Sequence, residues 1–427
     1  MLIDENILSD NYLSSSYTSS NNDTENSCFN INLTGDIINK YNVIAELGHG
    51  SYSIVWLVYC IEDNNFYAMK VQNPEDYDEG IDEIKILKKI KNTEPYLNYL
   101  VDNFIETRLL DEGEDGEHEF KFVCSVYNLC CGNLDGFGRK GKYTNGYPIE
   151  IVKKIINQVC NGLLSIHNKL NGFHGDIKPD NILLCGINNR DLQLIKLYKK
   201  ANFLELYQLV KKQYMNEKKT KKISLENKLR IRKKIHQQII DGMQNVSTSQ
   251  YDINDKYIND ICIKISDFGF FCNLKEQFNE SFGTQYYQAP ENILLGDCTE
   301  KVDVWALGCT LYELVTGQIL FEPDCDENGC SDKYHLEMMI NLCNEFNKKM
   351  ITKSKNGSKY FNKKGKLNNI IYDETFNDKF ITKIENKLKS FNIHDILLCD
   401  LLSRMLNSDP KQRISVIDVL NHDWCKS

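Results

Sequence analysis

The stretch His174-Gly175-Asp176-Ile177-Lys178-Pro179-Asp180-Asn181 places an aspartate, a lysine and an asparagine within six residues, pinned by a proline. Upstream, apolar residues recur from Ile155 to Ile166 at helical spacing. Downstream, Ile182-Leu183-Leu184 is short and apolar, like a strand. A loop between helix and strand is a usual place for chemistry. This one could present a base (Asp176), a cation for an anionic group (Lys178) and a metal ligand (Asn181) to one substrate. Alone it could also be an ordinary polar loop, so its weight rests on what the rest of the chain supplies, and in what order.

At 427 residues the chain allows one large domain or two to three smaller ones. With 41% hydrophobic and 11% aromatic residues it can bury a substantial core. A net charge of −9 argues against generic nucleic-acid binding. There is no apolar run long enough to span a membrane, and Met1-Leu2-Ile3-Asp4-Glu5 lacks the basic start and apolar core of a signal peptide. The 16 cysteines are scattered through apolar segments (Cys124, Cys130, Cys160, Cys309, Cys343) without a Cys-x-x-Cys pair, and read as reduced core thiols. These features predict an intracellular protein, in cytoplasm, nucleus or both, without direct nucleic-acid or membrane partners.

Residues 1–35 are rich in Ser and Asn and read as a disordered tail. From Tyr41 the pattern becomes strand-like. Tyr41 to Leu47 and Ile54 to Cys60 flank Gly48-His49-Gly50-Ser51-Tyr52-Ser53, and Phe66 to Val71 follows. Ile81, Ile84, Ile86, Leu87 and Ile90 repeat at helical spacing. Two more strands are expected near Val101 to Glu106 and Lys121 to Tyr127, around an acidic loop at Asp111 to Glu119. From Ile149 the spacing is mostly helical, over 151–167, 302–315, 335–346 and 395–406. The fold class is α+β: a small antiparallel sheet lobe (41–127) with one main helix, then a larger helical lobe (130–425).

Residues 186–260 interrupt the second lobe with 16 Lys and Arg against 8 Asp and Glu. With +8 in this segment and −9 in total, the remainder carries −17. The segment reads as a basic spacer insertion, partly helical and exposed, with Leu204 to Val210 docked on the body.

Further motifs fall in register with the opening stretch. Gly48-x-Gly50-x-x-Ser53-x-Val55 fits a hairpin closing over phosphates, although Ser53 stands at the third position. Lys70 ends a strand otherwise aimed at the core and needs an anionic partner, either bound phosphate or Glu83. Ser266-Asp267-Phe268-Gly269 follows the strand 261–265, where Asp267 can ligate a metal and Gly269 permits a sharp turn. Then come Thr284-Gln285-Tyr286-Tyr287-Gln288-Ala289-Pro290-Glu291, Asp303-Val304-Trp305-Ala306-Leu307-Gly308 and Pro410-Lys411-Gln412-Arg413. Glu291 and Arg413 are candidates for a structural ion pair. Asp303 is a candidate for holding the 174–181 backbone by hydrogen bonds.

This ordered set resembles the eukaryotic protein kinases over residues 41–425. The resemblance implies a two-lobed fold binding ATP in its cleft, with Mg2+. Carried over by position, ATP would contact Leu47, Gly48, His49, Gly50, Ser51, Tyr52, Ser53, Ile54, Val55, Lys70, Glu83 and Leu129. Lys70, paired with Glu83, would hold the α- and β-phosphates. Asp176 would orient the substrate hydroxyl and accept its proton, Lys178 would neutralise the transferring group, and Asn181 and Asp267 would hold Mg2+. Tyr127-Asn128-Leu129 would form the hinge, with Val126 as gatekeeper. Lys178, with Thr284 before Tyr287, matches serine/threonine rather than tyrosine kinases.

Within that superfamily the chain is similar to the SR-protein kinases, which act on Arg-Ser repeats. Ser53-Ile54-Val55-Trp56-Leu57, Asp82-Glu83-Ile84-Lys85-Ile86-Leu87, Leu320-Phe321-Glu322-Pro323 and Tyr360-Phe361-Asn362-Lys363-Lys364-Gly365 carry this likeness. The insertion stands where that family has its spacer, which implies a regulatory or localising role. The implied partners are protein substrates, basic and Arg/Ser-rich, met by a monomer. Three positions depart: Gln288 stands where arginine is usual, and Tyr334 and Asn341 where the family has docking acids. They leave open a dual-specificity kinase without Arg-Ser preference. A pseudokinase or scaffold would need a lost catalytic residue, and Lys70, Glu83, Asp176, Asn181 and Asp267 are all present. Gly175 replaces an arginine that couples many kinases to activation-segment phosphorylation, so activity without that phosphorylation is expected.

Overall fold

The computed structural model describes residues 32–426 apart from 112–116, 244–245, 247–248, 250, 252–254, 275–277 and 324–330. In chain order the first elements are β1 (Ile37–Ile38), β2 (Tyr41–His49), β3 (Ser53–Cys60), β4 (Phe66–Gln72), α1 (Tyr77–Leu87), β5 (Asp102–Asp111) and β6 (Glu117–Tyr127). There follow β7 (Cys130–Asn133), α2 (Leu134–Arg139), α3 (Ile149–Ser165), β8 (Gly172–Phe173), β9 (Ile182–Cys185), α4 (Asn189–Ala201), α5 (Phe203–Glu217), α6 (Leu225–Asp241) and α7 (Asp255–Asn259). Next are β10 (Ile263–Ile265), β11 (Cys272–Asn273), α8 (Pro290–Ile293), α9 (Lys301–Thr316) and α10 (Ser331–Cys343), and further helices continue to residue 426. Among the described residues no helix is long and apolar enough to cross a membrane.

The chain divides into two compact units. The first joins residues 1–85, 99–130 and 187–252, and the second holds 86–98, 131–186 and 253–427. The first unit is built on a six-stranded antiparallel sheet in the order β1-β2-β3-β4-β6-β5. Alternation along β3 decides its two faces. Trp56, Val58 and Cys60 join Val43, Met69, Cys124 and Val126 in one cluster, while Leu57 and Tyr59 turn to the other with Ile44. The expected strands are present but longer than predicted. β5 and β6 run on through a ladder ending at Asp111↔Glu117, so both flanks of the expected acidic loop are strand, and residues 112–116 lie outside the described residues. The tail expected over 1–35 also lies outside them except at its end. There Leu33 is buried and the Gly35 N–H donates to the Val43 carbonyl at 3.0 Å.

The insertion departs most from expectation. It interrupts the helical lobe in sequence, yet residues 187–252 belong with the sheet, and far more of it is docked than Leu204 to Val210. Leu194, Ile195 and Tyr198 of α4, Phe203 and Val210 of α5, and Ile231, Ile235 and Ile239 of α6 pack with Ile44, Leu57 and Tyr59. The physical reason is amphipathicity. Apolar residues recur every three to four positions beneath the lysines, and each such side chain buried contributes about 1.5–3 kcal/mol. Charge counting sees only the outer face. Asn188 caps α4 by accepting from the Asp191 N–H at 2.8 Å, and Ser224 caps α6 by accepting from the Asn227 N–H at 3.2 Å.

A polar network fastens this junction. The Asn42 amide donates to the Tyr198 hydroxyl at 2.8 Å and accepts from Arg232 Nε at 2.8 Å. Arg232 also donates to the Asn39 carbonyl at 2.9 Å, and His236 Nε2 meets the Val43 carbonyl at 2.8 Å. Arg190 of α4 donates to the Glu46 carbonyl at 3.0 Å, two residues ahead of Gly48.

The second unit centres on α3 and α9. Ile155, Ile156, Val159 and Leu163 of α3 are fully buried, and α9 is buried on every side from Val302 to Thr316, as its apolar run requires. Two small sheets, β10-β9-β7 and β11-β8, complete the scaffold.

Candidate active site

The predicted site residues fall in two groups, one in each unit. In the first unit β2 and β3 form the hairpin whose turn is Gly50 to Ser53, closed by the Gly50 N–H donating to the Ser53 carbonyl at 2.9 Å. Asn73 ties the tip to the end of β4, donating from its backbone to the Tyr52 carbonyl at 2.9 Å and from its side chain to the Ser51 carbonyl at 3.1 Å. His49 contacts Glu46 at 2.8 Å. Val55 pairs with Lys70 across β3 and β4, so these two share a face. Ile54 lies one residue out of phase. Its side chain packs with Trp56 in the opposite cluster, apart from Val55 and Lys70. Leu47 and Leu129 both flank the cluster made with the insertion helices.

Lys70 Nζ lies 2.9 Å from Glu83 on α1, with the carboxylate side chain 4% exposed. A buried charge pair of this kind is costly to break, because removing one partner strands the other.

In the second unit the 174–181 loop follows β8 and leads into β9. α3 ends in a wider π-helical turn, Ile166–Leu170, that presents His167 to Asp303 at 2.7 Å. The fully buried Asp303 carboxylate also accepts the backbone N–H groups of His174 and Gly175, both at 2.9 Å. Burial alone would raise its pKa, but His167 and these donors hold it below the ordinary carboxylate value. The expected role of Asp303 is thus met in geometry. His167, its second partner, was missed, and its only sequence signal is a histidine on the last turn before the loop. The Asp176 N–H donates to His174 Nδ1 at 3.2 Å, and His174 Nε2 faces the Ser266 carbonyl at 3.1 Å, which assigns the ring proton to Nε2.

Asp176 is held at both oxygens. Oδ1 accepts from the Thr284 N–H at 2.7 Å, and Oδ2 accepts from Asn181 Nδ2 at 3.0 Å and lies 2.9 Å from Lys178 Nζ. Asn181 Nδ2 also donates to the Asp176 carbonyl at 2.8 Å, and Lys178 donates to the Thr284 hydroxyl. Asp267 sits just past β10, exposed, with φ at +63°. Such left-handed backbone in a non-glycine residue costs about 1–3 kcal/mol and gathers at functional sites. Phe268 is buried against the His174 ring. The expected ion pair is bidentate: Arg413 meets the two Glu291 oxygens at 2.7 and 2.9 Å.

The profile of the protein kinase domain matches residues 41–199 and 243–425. The chain belongs to the protein kinase family. It is similar to the serine/threonine-protein kinase SRPK of Physarum polycephalum, with 30% identity over 77% of this chain and 72% of the relative. Protein kinase dsk1 of Schizosaccharomyces pombe shares 26% over 91% of this chain and 80% of its own length. SRSF protein kinase 3 of Mus musculus shares 24% over 91% and 87%. This kinase is a serine/threonine protein kinase most like the SR-protein kinases, and membership brings the two-lobed kinase fold. The profile leaves out 200–242, which covers the whole of α5 and α6.

Proposed function

We propose that the chain transfers the γ-phosphoryl group of ATP to serine or threonine hydroxyls of protein substrates, with Asp176 as the group that orients the hydroxyl and takes its proton. The clamp on both Asp176 oxygens carries this reading. A carboxylate fixed in place keeps lone pairs for a hydroxyl and is aligned before the reaction begins. Lys178 neutralises charge on the transferring group, and Lys70, oriented by Glu83, holds the α- and β-phosphates. A Cβ at Gly48 or Gly50 would meet no protein atom within 4 Å. Protein packing therefore does not demand these glycines, and close approach of the backbone to phosphate gives them a purpose.

The donor set fits Mg2+. With Nδ2 committed to Asp176, Asn181 has its Oδ1 left for a cation, and Asp267 adds an exposed carboxylate. Hard oxygen donors, few from protein and the rest from phosphate, are what Mg2+ takes, and the ion would offset phosphate charge. The test is single-turnover transfer from γ-labelled ATP to a serine peptide by wild type and Asp176→Ala. Equal transfer by both would sink the assignment of Asp176, and none by wild type would leave a pseudokinase.

The proposed substrates are basic and Arg/Ser-rich. The names of the relatives, the −17 charge outside the insertion and a groove lined in part by Glu322, Glu337 and Asp373 support this. A second reading, a kinase without arginine preference, is favoured by Asn341. Its amide donates to the Ile371 carbonyl at 2.9 Å and accepts from the Asp373 N–H at 3.1 Å, so it clasps the chain where the family has an acid. Asp324, Asp326 and Glu327 lie outside the described residues. A degenerate peptide library scored for arginine around the phosphoacceptor decides between the two.

A further inference from the structure

The antiparallel pairing of β9 with β10 sets Leu184 opposite Ile263. One step outward, at the end of the ladder, Cys185 stands opposite Cys262, and the Cys185 N–H donates to the Cys262 carbonyl at 2.8 Å. Directly opposite residues of such a ladder have Cα atoms about 4.5–5.5 Å apart with side chains on one face. A disulfide needs about 4.4–6.8 Å. The two thiols are within hydrogen-bonding reach of each other, and Cys262 is exposed. Burial of its sulfur and this contact push the Cys262 thiol up to about 11.

We propose that Cys185 and Cys262 form a reversible disulfide that staples the base of the insertion and makes the kinase sensitive to oxidants. A small disulfide such as oxidised glutathione supplies the oxidation. The Cys262 thiolate attacks it and expels one glutathione thiolate; the Cys185 thiolate then displaces the second. One protein S–S bond forms as the glutathione S–S bond breaks, and the two protein thiol protons end on two glutathione thiols. The raised thiol makes the reaction slow at neutral pH and faster in alkali, because the thiolate is the nucleophile.

The staple acts at the insertion end of the β9–β10 pair, and the opposite end of this three-residue ladder leads to the metal-site candidates. Asn181 immediately precedes β9, and Asp267 follows β10 by two residues. Drawing the sulfurs from contact to bonding distance changes the twist of this short ladder, and with it the spacing of the two residues assigned above to Mg2+. This second step rests on the kinase assignments, whereas the crosslink itself does not.

The full chain is incubated with oxidised glutathione, then split into reduced and unreduced halves, digested and mapped by mass. The expected result is a Cys185–Cys262 linked peptide with loss of two titratable thiols, abolished in Cys262→Ser and Cys185→Ser and kept in Cys131→Ser. Cys131 is the control because its Sγ lies 3.6 Å from the Cys185 carbonyl oxygen. A crosslink to Cys131, or glutathione adducts alone, would overturn the proposal. Peptide phosphorylation should fall several-fold on oxidation, return with dithiothreitol, and not respond in the serine variants. A mapped crosslink with an unchanged rate would remove the oxidant sensitivity while leaving the kinase assignment intact.

Discussion

Two buried polar networks organise this molecule, and they differ in reach. Around Asp176, the partners Lys178 and Asn181 lie within five residues, with Thr284 as the distant one. At the junction of insertion and sheet, Asn42 joins Tyr198, and Arg232 joins Asn42 across 190 residues. The first network arranges polar groups that a substrate can use. The second faces inward: Tyr198 and His236 are fully buried and serve to hold two segments in one place. The contrast predicts that the first can be broken without unfolding the protein, and the second without touching the chemistry.

The largest effect is expected at Asp176. Asp176→Asn keeps the size of the side chain and removes the proposed base, so kcat falls by about 10²–10⁴-fold, with an unchanged unfolding midpoint. A shifted midpoint would show that the loop network is also structural. Tyr198→Ala sharpens the other side. Removal of a fully buried aromatic costs about 3–5 kcal/mol in urea unfolding, while kcat per folded molecule stays at the wild-type value. An unchanged unfolding curve would mean that the insertion is not docked in solution.

Acid separates the networks next. Burial, and then the nearby Arg232 charge, bring His236 down to about 4, with the Val43 carbonyl and Asp36 opposing. The ring is thus neutral in the folded protein while the unfolded chain binds a proton below about 6.5. Stability is full above about pH 6.5 and is lost as pH falls towards 4, by about 3 kcal/mol. His335, buried without hydrogen-bond partners among the described residues and brought down by burial to about 3, loses stability in the same direction. The difference between wild type and His236→Gln, measured by unfolding from pH 7 to 4, isolates the first. Parallel curves would show that His236 does not titrate between the two states.

The same contrast explains what could be read from the chain. Asp176, Lys178 and Asn181 were legible because their spacing is itself the motif, and Lys70 with Glu83 because a core-facing ammonium requires a nearby acid. The resemblance carried Ile54 and Val55 over together, whereas the pleat of β3 sets Val55 beside Lys70 and Ile54 on the other face. The insertion was legible as a segment, but not the extent of its docking. Its lysines dominate the charge count, and the tie from Arg232 to Asn42 depends on a fold that no local pattern encodes. Asn341 was legible only as a missing acid; that its amide bonds residues 371 and 373 depends on the fold and could not be read from the chain.

The smallest effect is expected from phosphate removal. Gly175 has φ at +81°, and a Cβ there would meet the Phe270 carbonyl oxygen at 2.4 Å. This backbone therefore has no room for the arginine that would bind a phosphate. The activation segment is held by other means. Gln288 donates to the carbonyls of Phe282 and Gly283, both at 3.1 Å, and Asn292 donates to the Phe282 carbonyl at 2.8 Å. The Tyr287 hydroxyl donates to Glu313 at 2.5 Å. Each neutral bond of this kind contributes about 0.5–1.5 kcal/mol, enough together to order a short loop without phosphate. Complete dephosphorylation should then change kcat by less than about two-fold, which is a barrier change under about 0.5 kcal/mol. Gln288→Ala, assayed beside it, should raise the KM for peptide more than it lowers kcat, because it loosens the segment and leaves Asp176 in place. If dephosphorylation instead removes most of the activity, the ordering of 282–288 comes from a phosphate, and the hydrogen bonds of Gln288 only follow it.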